Sequence, residues 1–104
     1  IGYMGGDSHQ PDIAWITPVL TKINQAFTNK ITFHFYGLKP PQELSSLPNV
    51  QWTPIRTYDY REFIDDFHHL NFDIFIAPLI DNPFNRCKSA IKFLEYSTLG
   101  IPGV

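Results

Sequence analysis

One cysteine in 104 residues, Cys87, excludes an intramolecular disulfide and a cysteine-built metal cluster. That scarcity fits a reducing compartment, with the cytoplasm as the default. No apolar stretch approaches the roughly 18 to 20 residues that a membrane span requires, and the first residues do not read as a signal peptide. Charge is sparse too: Asp, Glu, Lys and Arg make up 17% of the chain, and the net charge is −2 at pH 7. This balance excludes a global attraction to nucleic acid or to an anionic membrane, so no nucleic-acid partner is expected and any anion site must be local. Internal repeats and low-complexity segments are absent, and a hydrophobic content of 43% excludes a disordered tail.

What is present is an alternation of two periodicities in a chain the size of one small domain. Ile1 to Met4 is a short apolar strand that breaks into Gly5-Gly6-Asp7-Ser8, a glycine turn with candidate helix caps. Ile13, Ile16, Val19, Leu20, Ile23 and Phe27 then recur every three or four residues and predict an amphipathic helix over Pro11 to Thr28. Pro18 inside it removes a donor, which predicts a kink or a late helix start. Ile31 to Tyr36 predicts a strand, ended by Gly37 and followed by a loop at Pro40-Pro41. Val50, Trp52 and Ile55 mark a short extended segment that Pro54 confines to an edge. Phe63, Ile64, Phe67 and Leu70 space a helix over Tyr60 to His69, and Phe72 to Leu79 is the unbroken apolar run of a buried strand. A helix from Lys88 to Leu99 follows, closed by Gly100 and Pro102, with an incipient strand at Val104. The pattern is α/β, a mostly parallel sheet with helices on both faces.

Two polar constellations follow strands, where such sheets bind ligands. One is Gly5 to His9; the other runs from Asp81 to Glu95. In the second, Arg86, Lys88 and Lys92 gather at a helix start, and Lys88 and Lys92 form an unfavourable i,i+4 like-charge pair. A helix start offers free N–H groups and positive dipole charge, so the three cations suit a phosphate, although a solvated basic face also accounts for them. Gly5-Gly6 allows close backbone approach to a diphosphate, yet a tight turn explains two glycines equally. His9 suits a sugar hydroxyl or phosphate as well as it suits a surface position. Glu95 has the chemistry to accept two hydrogen bonds from vicinal hydroxyls of a ribose, with a salt bridge to Lys92 as the competing explanation.

Other polar residues carry no chemistry in this reading. His34, His68 and His69 lack zinc-site spacing, and no metal site is expected. Glu62, Asp65 and Asp66 read as solvated charge on a helix. Cys87 sits between Arg86 and Lys88, but no histidine lies near it in sequence to complete a nucleophile pair.

The segment K-S-A-I-K-F-L-E-Y-S-T-L-G-I-P-G-V resembles the donor-site segment of GT-B glycosyltransferases, especially the retaining group related to family 4. There a lysine is followed by two residues, Glu-Tyr, a small-residue stretch and Gly-x-Pro; Lys92, Glu95, Tyr96, Gly100 and Pro102 match. Ala77 to Asn85 is similar to the strand and loop leading into it, and G-Y-M-G-G-D-S-H resembles the first strand and glycine loop of the C-terminal Rossmann-like domain. The likeness is most specific over Ala77 to Val104 and loose between Gly37 and Tyr60. It implies that residues 1–104 are part of the C-terminal, nucleotide-sugar-binding half of a GT-B fold, without the N-terminal acceptor domain and inactive alone. The implied activity is transfer of a hexose-like sugar from a nucleotide diphosphate donor to a glycan, lipid or small-molecule acceptor, with no cofactor besides the donor substrate. Peripheral contact of the full-length protein with the cytoplasmic face of a membrane is compatible with it.

By the same resemblance, Glu95 binds the ribose, Arg86 with Lys88 or Lys92 neutralises the diphosphate, and Gly5 and Gly6 face the phosphates; Tyr96 of the matching Glu-Tyr pair, and His9 from the reading of the loop itself, are counted with the donor site. Two features depart from the pattern. Relatives often carry a glutamate where Cys87 stands, and an arginine and a lysine where this loop has Asp7, Ser8 and His9. The alternative function is a non-catalytic nucleotide- or phosphate-binding α/β module.

Overall fold

The computed structural model describes every residue except Tyr58. Its strands are β1 (Gly2–Gly5), β2 (Phe33–Gly37), β3 (Val50–Thr53) and β4 (Phe75–Ile76). The helices are α1 (Gln10–Ala26), α2 (Gln42–Ser45), α3 (Tyr60–His68), α4 (Pro83–Arg86) and α5 (Ile91–Thr98), and a 3-10 turn (Asp7–His9) precedes α1. All strand pairs are parallel, in the order β3-β2-β1-β4. Gly103 forms a further parallel bridge to Phe75, and Ala77 N–H donates to Val104 O at 2.7 Å, which is the incipient strand expected there. The architecture is a Rossmann-like α/β fold.

Alternation along the strands makes two cores. Tyr3, Phe33 and Phe35 point to one face, where Ile13 and Leu20 of α1 and Leu44 of α2 cover them. Met4, Tyr36 and Phe75 point to the other, beneath Phe67 of α3 and Tyr96 of α5. Each fully buried aromatic ring contributes roughly 1.5 to 3 kcal/mol by leaving water.

Several boundaries differ from the sequence expectation. The α1 helix starts early and runs through Pro18, whose missing N–H leaves the Ala14 carbonyl without its helical donor. Both residues are exposed, so the interruption lies on the solvent side of the helix. Val19 and Phe27 are half exposed rather than part of the apolar stripe, while Thr17 is buried and donates to Ile13 O at 2.8 Å. The expected strand Phe72–Leu79 shrinks to two residues. Phe72 instead packs its ring against Phe75 and His34, and Pro78 brings no donor to continue the ladder. β3 stops before Pro54, so Ile55 lies outside it.

The last helix does not begin at Lys88. Asn82 caps α4, accepting from Asn85 N–H at 2.8 Å with Pro83 in the first turn, and this short helix occupies the chain until Cys87. α5 starts only at Ile91. Lys88 and Lys92 are therefore not an i,i+4 pair on one helix. No helix among the described residues is long and apolar enough to cross a membrane.

Candidate functional site

Strand order decides where a crevice forms. From β1 the chain moves outward to β2 and β3 and then returns to the other side of β1 with β4, so the connections after β1 and β4 leave toward opposite faces. The gap between them, at the carboxyl ends of the strands, is the ligand position of doubly wound sheets. Gly5 ends β1 there. A Cβ on Gly5 would collide with the Tyr3 hydroxyl and stand 3.1 Å from Lys92 Nζ, so glycine lets the lysine lie over the strand end. Lys92 Nζ also sits 5.1 Å from the centre of the Tyr3 ring. The Tyr3 hydroxyl beneath is buried without a hydrogen-bond partner among the described residues, and burial raises its pKa.

His9 arrives from the 3-10 turn and meets both lysines. Its Nε2 is 3.2 Å from Lys92 Nζ, and its Nδ1 is 2.9 Å from Asp12 Oδ2. The carboxylate selects the Nδ1–H tautomer, which leaves the Nε2 lone pair to accept from Lys92. Lys88 Nζ is 3.2 and 3.4 Å from the two ring nitrogens and aligned with neither lone pair. Its nearest carboxylate oxygen is Asp12 Oδ2 at 3.8 Å, and it lies 4.8 Å from the centre of the Phe84 ring.

Asp12, 2% exposed, anchors this cluster. Its Oδ1 accepts from Ile80 N–H at 2.9 Å and from Asn85 Nδ2 at 2.8 Å, while Asn85 Nδ2 also donates to Ile80 O at 2.9 Å. The first turn of α1 is thus tied to the loop that follows β4. Burial pushes the Asp12 carboxyl upward, but the hydrogen bonds from Ile80, His9 and Asn85 and the charge of Lys88 hold it below the usual carboxylate range. Burial lowers the His9 imidazole, aided by Lys92 and Lys88 against the pull of Asp12. Burial, with the charge of Lys88, lowers Lys92 to about 8. The two ammonium groups therefore meet on one neutral imidazole: Lys88 has Asp12 within ion-pair distance, whereas Lys92 has no carboxylate that close among the described residues and feels Asp12 and Glu95 only from further away.

No family model, curated protein or solved structure matches this chain.

A cleft of about 480 Å³ opens beside the cluster, with His9, Lys88 and Lys92 on its polar side and Ala77, Leu79, Ile91 and Phe93 on its apolar side. Another cleft, of about 430 Å³, lies at the opposite end of the strands, lined by Lys30, His34 and Asp73. Of the residues singled out from sequence, Gly5, His9, Lys88 and Lys92 converge. Gly6 precedes the 3-10 turn with open space around it. Arg86 stands apart on the surface, where its guanidinium grips Asp81 through contacts of 2.6 and 2.8 Å. Glu95 is nearly buried and does not pair with Lys92; its Oε1 accepts from the Tyr60 hydroxyl at 3.3 Å. Burial raises the Glu95 carboxyl, against the pull of Tyr60 and Lys92. Tyr96 belongs to the second core, stacked on Phe75 at 4.0 Å with an interplanar angle of 3°. Cys87 is exposed.

Asp12 and Asn85 were not legible as site residues. Asp12 reads as an ordinary first-turn acid that favours a helix N-terminus. The cap pair Asn82-Pro83 did carry a signal for α4, and with it the displacement of Lys88 off the following helix.

Proposed function

We propose that this crevice binds the diphosphate of a nucleotide-sugar and that the chain is the donor-binding part of a glycosyltransferase, passing the sugar to a glycan, lipid or small-molecule acceptor. The observation that carries the reading is the meeting of Lys88 and Lys92 on His9 at the strand-order reversal, with Asp12 within ion-pair distance of Lys88 and no carboxylate that close to Lys92 among the described residues. A diphosphate diester supplies the negative charge this cluster lacks. Its departure from the sugar develops further charge on the leaving oxygen, which fixed ammonium groups stabilise in a partly dry site. The apolar wall of Leu79, Ile91 and Phe93 suits the less polar part of such a donor, and the cleft volume lies in the small-molecule range.

In this reading Gly5 and Gly6 let the phosphates approach the backbone, Glu95 takes the ribose by releasing Tyr60, and Arg86 joins only by releasing Asp81. Tyr96 supports the site from the core. A single cysteine supports the cytoplasm, or the cytoplasmic face of a membrane, as the compartment. The second reading is a non-catalytic nucleotide- or phosphate-binding module, favoured by Cys87 where a sugar-contacting glutamate would stand. The donor-binding part is inactive alone in the first reading, so incubating the full-length protein with UDP-, GDP- and dTDP-hexoses separates them. Sugar release or transfer from one donor is the expected result, binding without turnover supports the second reading, and no binding of any donor contradicts the first.

A further inference from the structure

We propose that Asp12 is a positioning residue that makes His9 a third, proton-carrying ligand of the bound diphosphate, an inference that rests on the anion-binding reading above. The two oxygens of Asp12 have separate tasks. Oδ1 is occupied by Ile80 N–H and Asn85 Nδ2 and holds the loop. Oδ2 faces His9 Nδ1 at 2.9 Å and keeps a proton there. That leaves Nε2 as the free nitrogen, and Nε2 is the one turned to Lys92 at the cleft.

With no anion bound the imidazole is neutral, because it is buried and both lysines oppose a further positive charge. A diphosphate reverses each of those electrostatic effects. Its oxygens draw Lys88 and Lys92 away from the ring, and Nε2 meets a negative acceptor in place of an ammonium donor. One proton from solvent then binds Nε2 while Nδ1 keeps its own. The imidazolium donates Nδ1–H to Asp12 and Nε2–H to the phosphate, in the arrangement by which a carboxylate orients and stabilises a charged histidine. No bond is broken, and donor binding takes up as much as one proton.

The groups that face His9 are few among the described residues. Asp12 comes from α1, Lys88 from the segment before α5, and Lys92 from α5 with Glu95 behind it. Tyr3 lies below on β1, and burial keeps its phenol protonated. Burial and Lys88 lower Lys92 to about 8, and a bound diphosphate raises it again, so following the His9 ring nitrogens themselves separates the two groups.

The test is to titrate the intact protein with UDP-, GDP- and dTDP-hexose between about pH 5.5 and 7.5, following the His9 ring nitrogens by NMR. The diphosphate diester of these donors holds no exchangeable proton near neutrality, so proton uptake reports the protein. The His9 midpoint is expected to rise by about one pH unit or more on saturation, with affinity falling roughly tenfold as pH rises through the shifted window. Asp12→Asn removes this pH dependence, and so does His9→Gln, which leaves the Asp12 bonds to the loop intact should the first variant not fold. A neutral His9 in the saturated complex, or a wild-type pH profile in His9→Gln, overturns the proposal while leaving donor binding in place. Failure of every donor to bind at any pH removes the anion-binding reading and this proposal together.

Discussion

Lys92 Nζ lies 3.2 Å from His9 Nε2 and joins the connection after β1 to the one after β4 across the point where the strand order reverses. The position is costly for the lysine. Burial and Lys88 lower its pKa from 10.5 to about 8, so holding the charged form in the folded state costs stability at neutral pH. Groups placed for a ligand commonly carry such a cost.

Lys92→Met should therefore stabilise the protein at pH 7, by roughly 0.5 to 2 kcal/mol, while weakening donor binding. The sign follows from proton linkage. Between about pH 8 and 10.5 the unfolded chain holds the Lys92 proton more tightly than the folded one, so wild-type stability gains a contribution as pH rises through that window. Urea unfolding at pH 7 and pH 10 reads both effects: the variant is expected to start higher and to lack that gain. A less stable variant at pH 7 would contradict the assignment.

Asn85→Ala should destabilise the fold by about 1 to 3 kcal/mol, because it strips a buried carboxylate of one donor and leaves Ile80 O without its side-chain partner. Asp12 is held below 3.8, so its contribution is present above that pH and is lost as pH falls below it. The acid limb of the stability curve should be shallower in the variant. Equal stability of the two proteins at pH 7 would show that the Asp12 network does not hold the loop.

Tyr96 separates a core role from direct donor contact. Its ring is 2% exposed and stacked on Phe75, and its hydroxyl reaches Ile76 O only at 3.5 Å. Tyr96→Phe is expected to change stability by less than about 1 kcal/mol and leave nucleotide affinity as it was. Tyr96→Ala should cost about 3 to 5 kcal/mol through the cavity it leaves. A loss of affinity in a fully stable Tyr96→Phe would put the hydroxyl on the ligand.

The α/β order was legible because apolar spacing switches cleanly between helix and strand periods: Ile13 with Leu20 for one, Phe33 with Phe35 for the other. Gly5, His9, Lys88 and Lys92 were legible as residue types that follow strands. Their convergence on one imidazole was not, because it depends on α4 displacing Lys88 from α5 and on Asp12 bridging to Ile80, a residue 68 positions away. Long-range hydrogen bonds leave no periodic trace. Arg86 shows the converse, since charge pattern marked it as part of the cluster and Asp81 at the surface captured it.

The most direct test is calorimetric titration of the intact protein with UDP, GDP and dTDP, in the wild type and in Lys88→Ala and Arg86→Ala. At least one nucleotide should saturate the wild type, Lys88→Ala should weaken it by about 1 to 3 kcal/mol, and Arg86→Ala should cost clearly less. No saturable binding of any nucleotide, or a Lys88→Ala variant that binds as tightly as the wild type, would contradict an anion site at the crevice between β1 and β4.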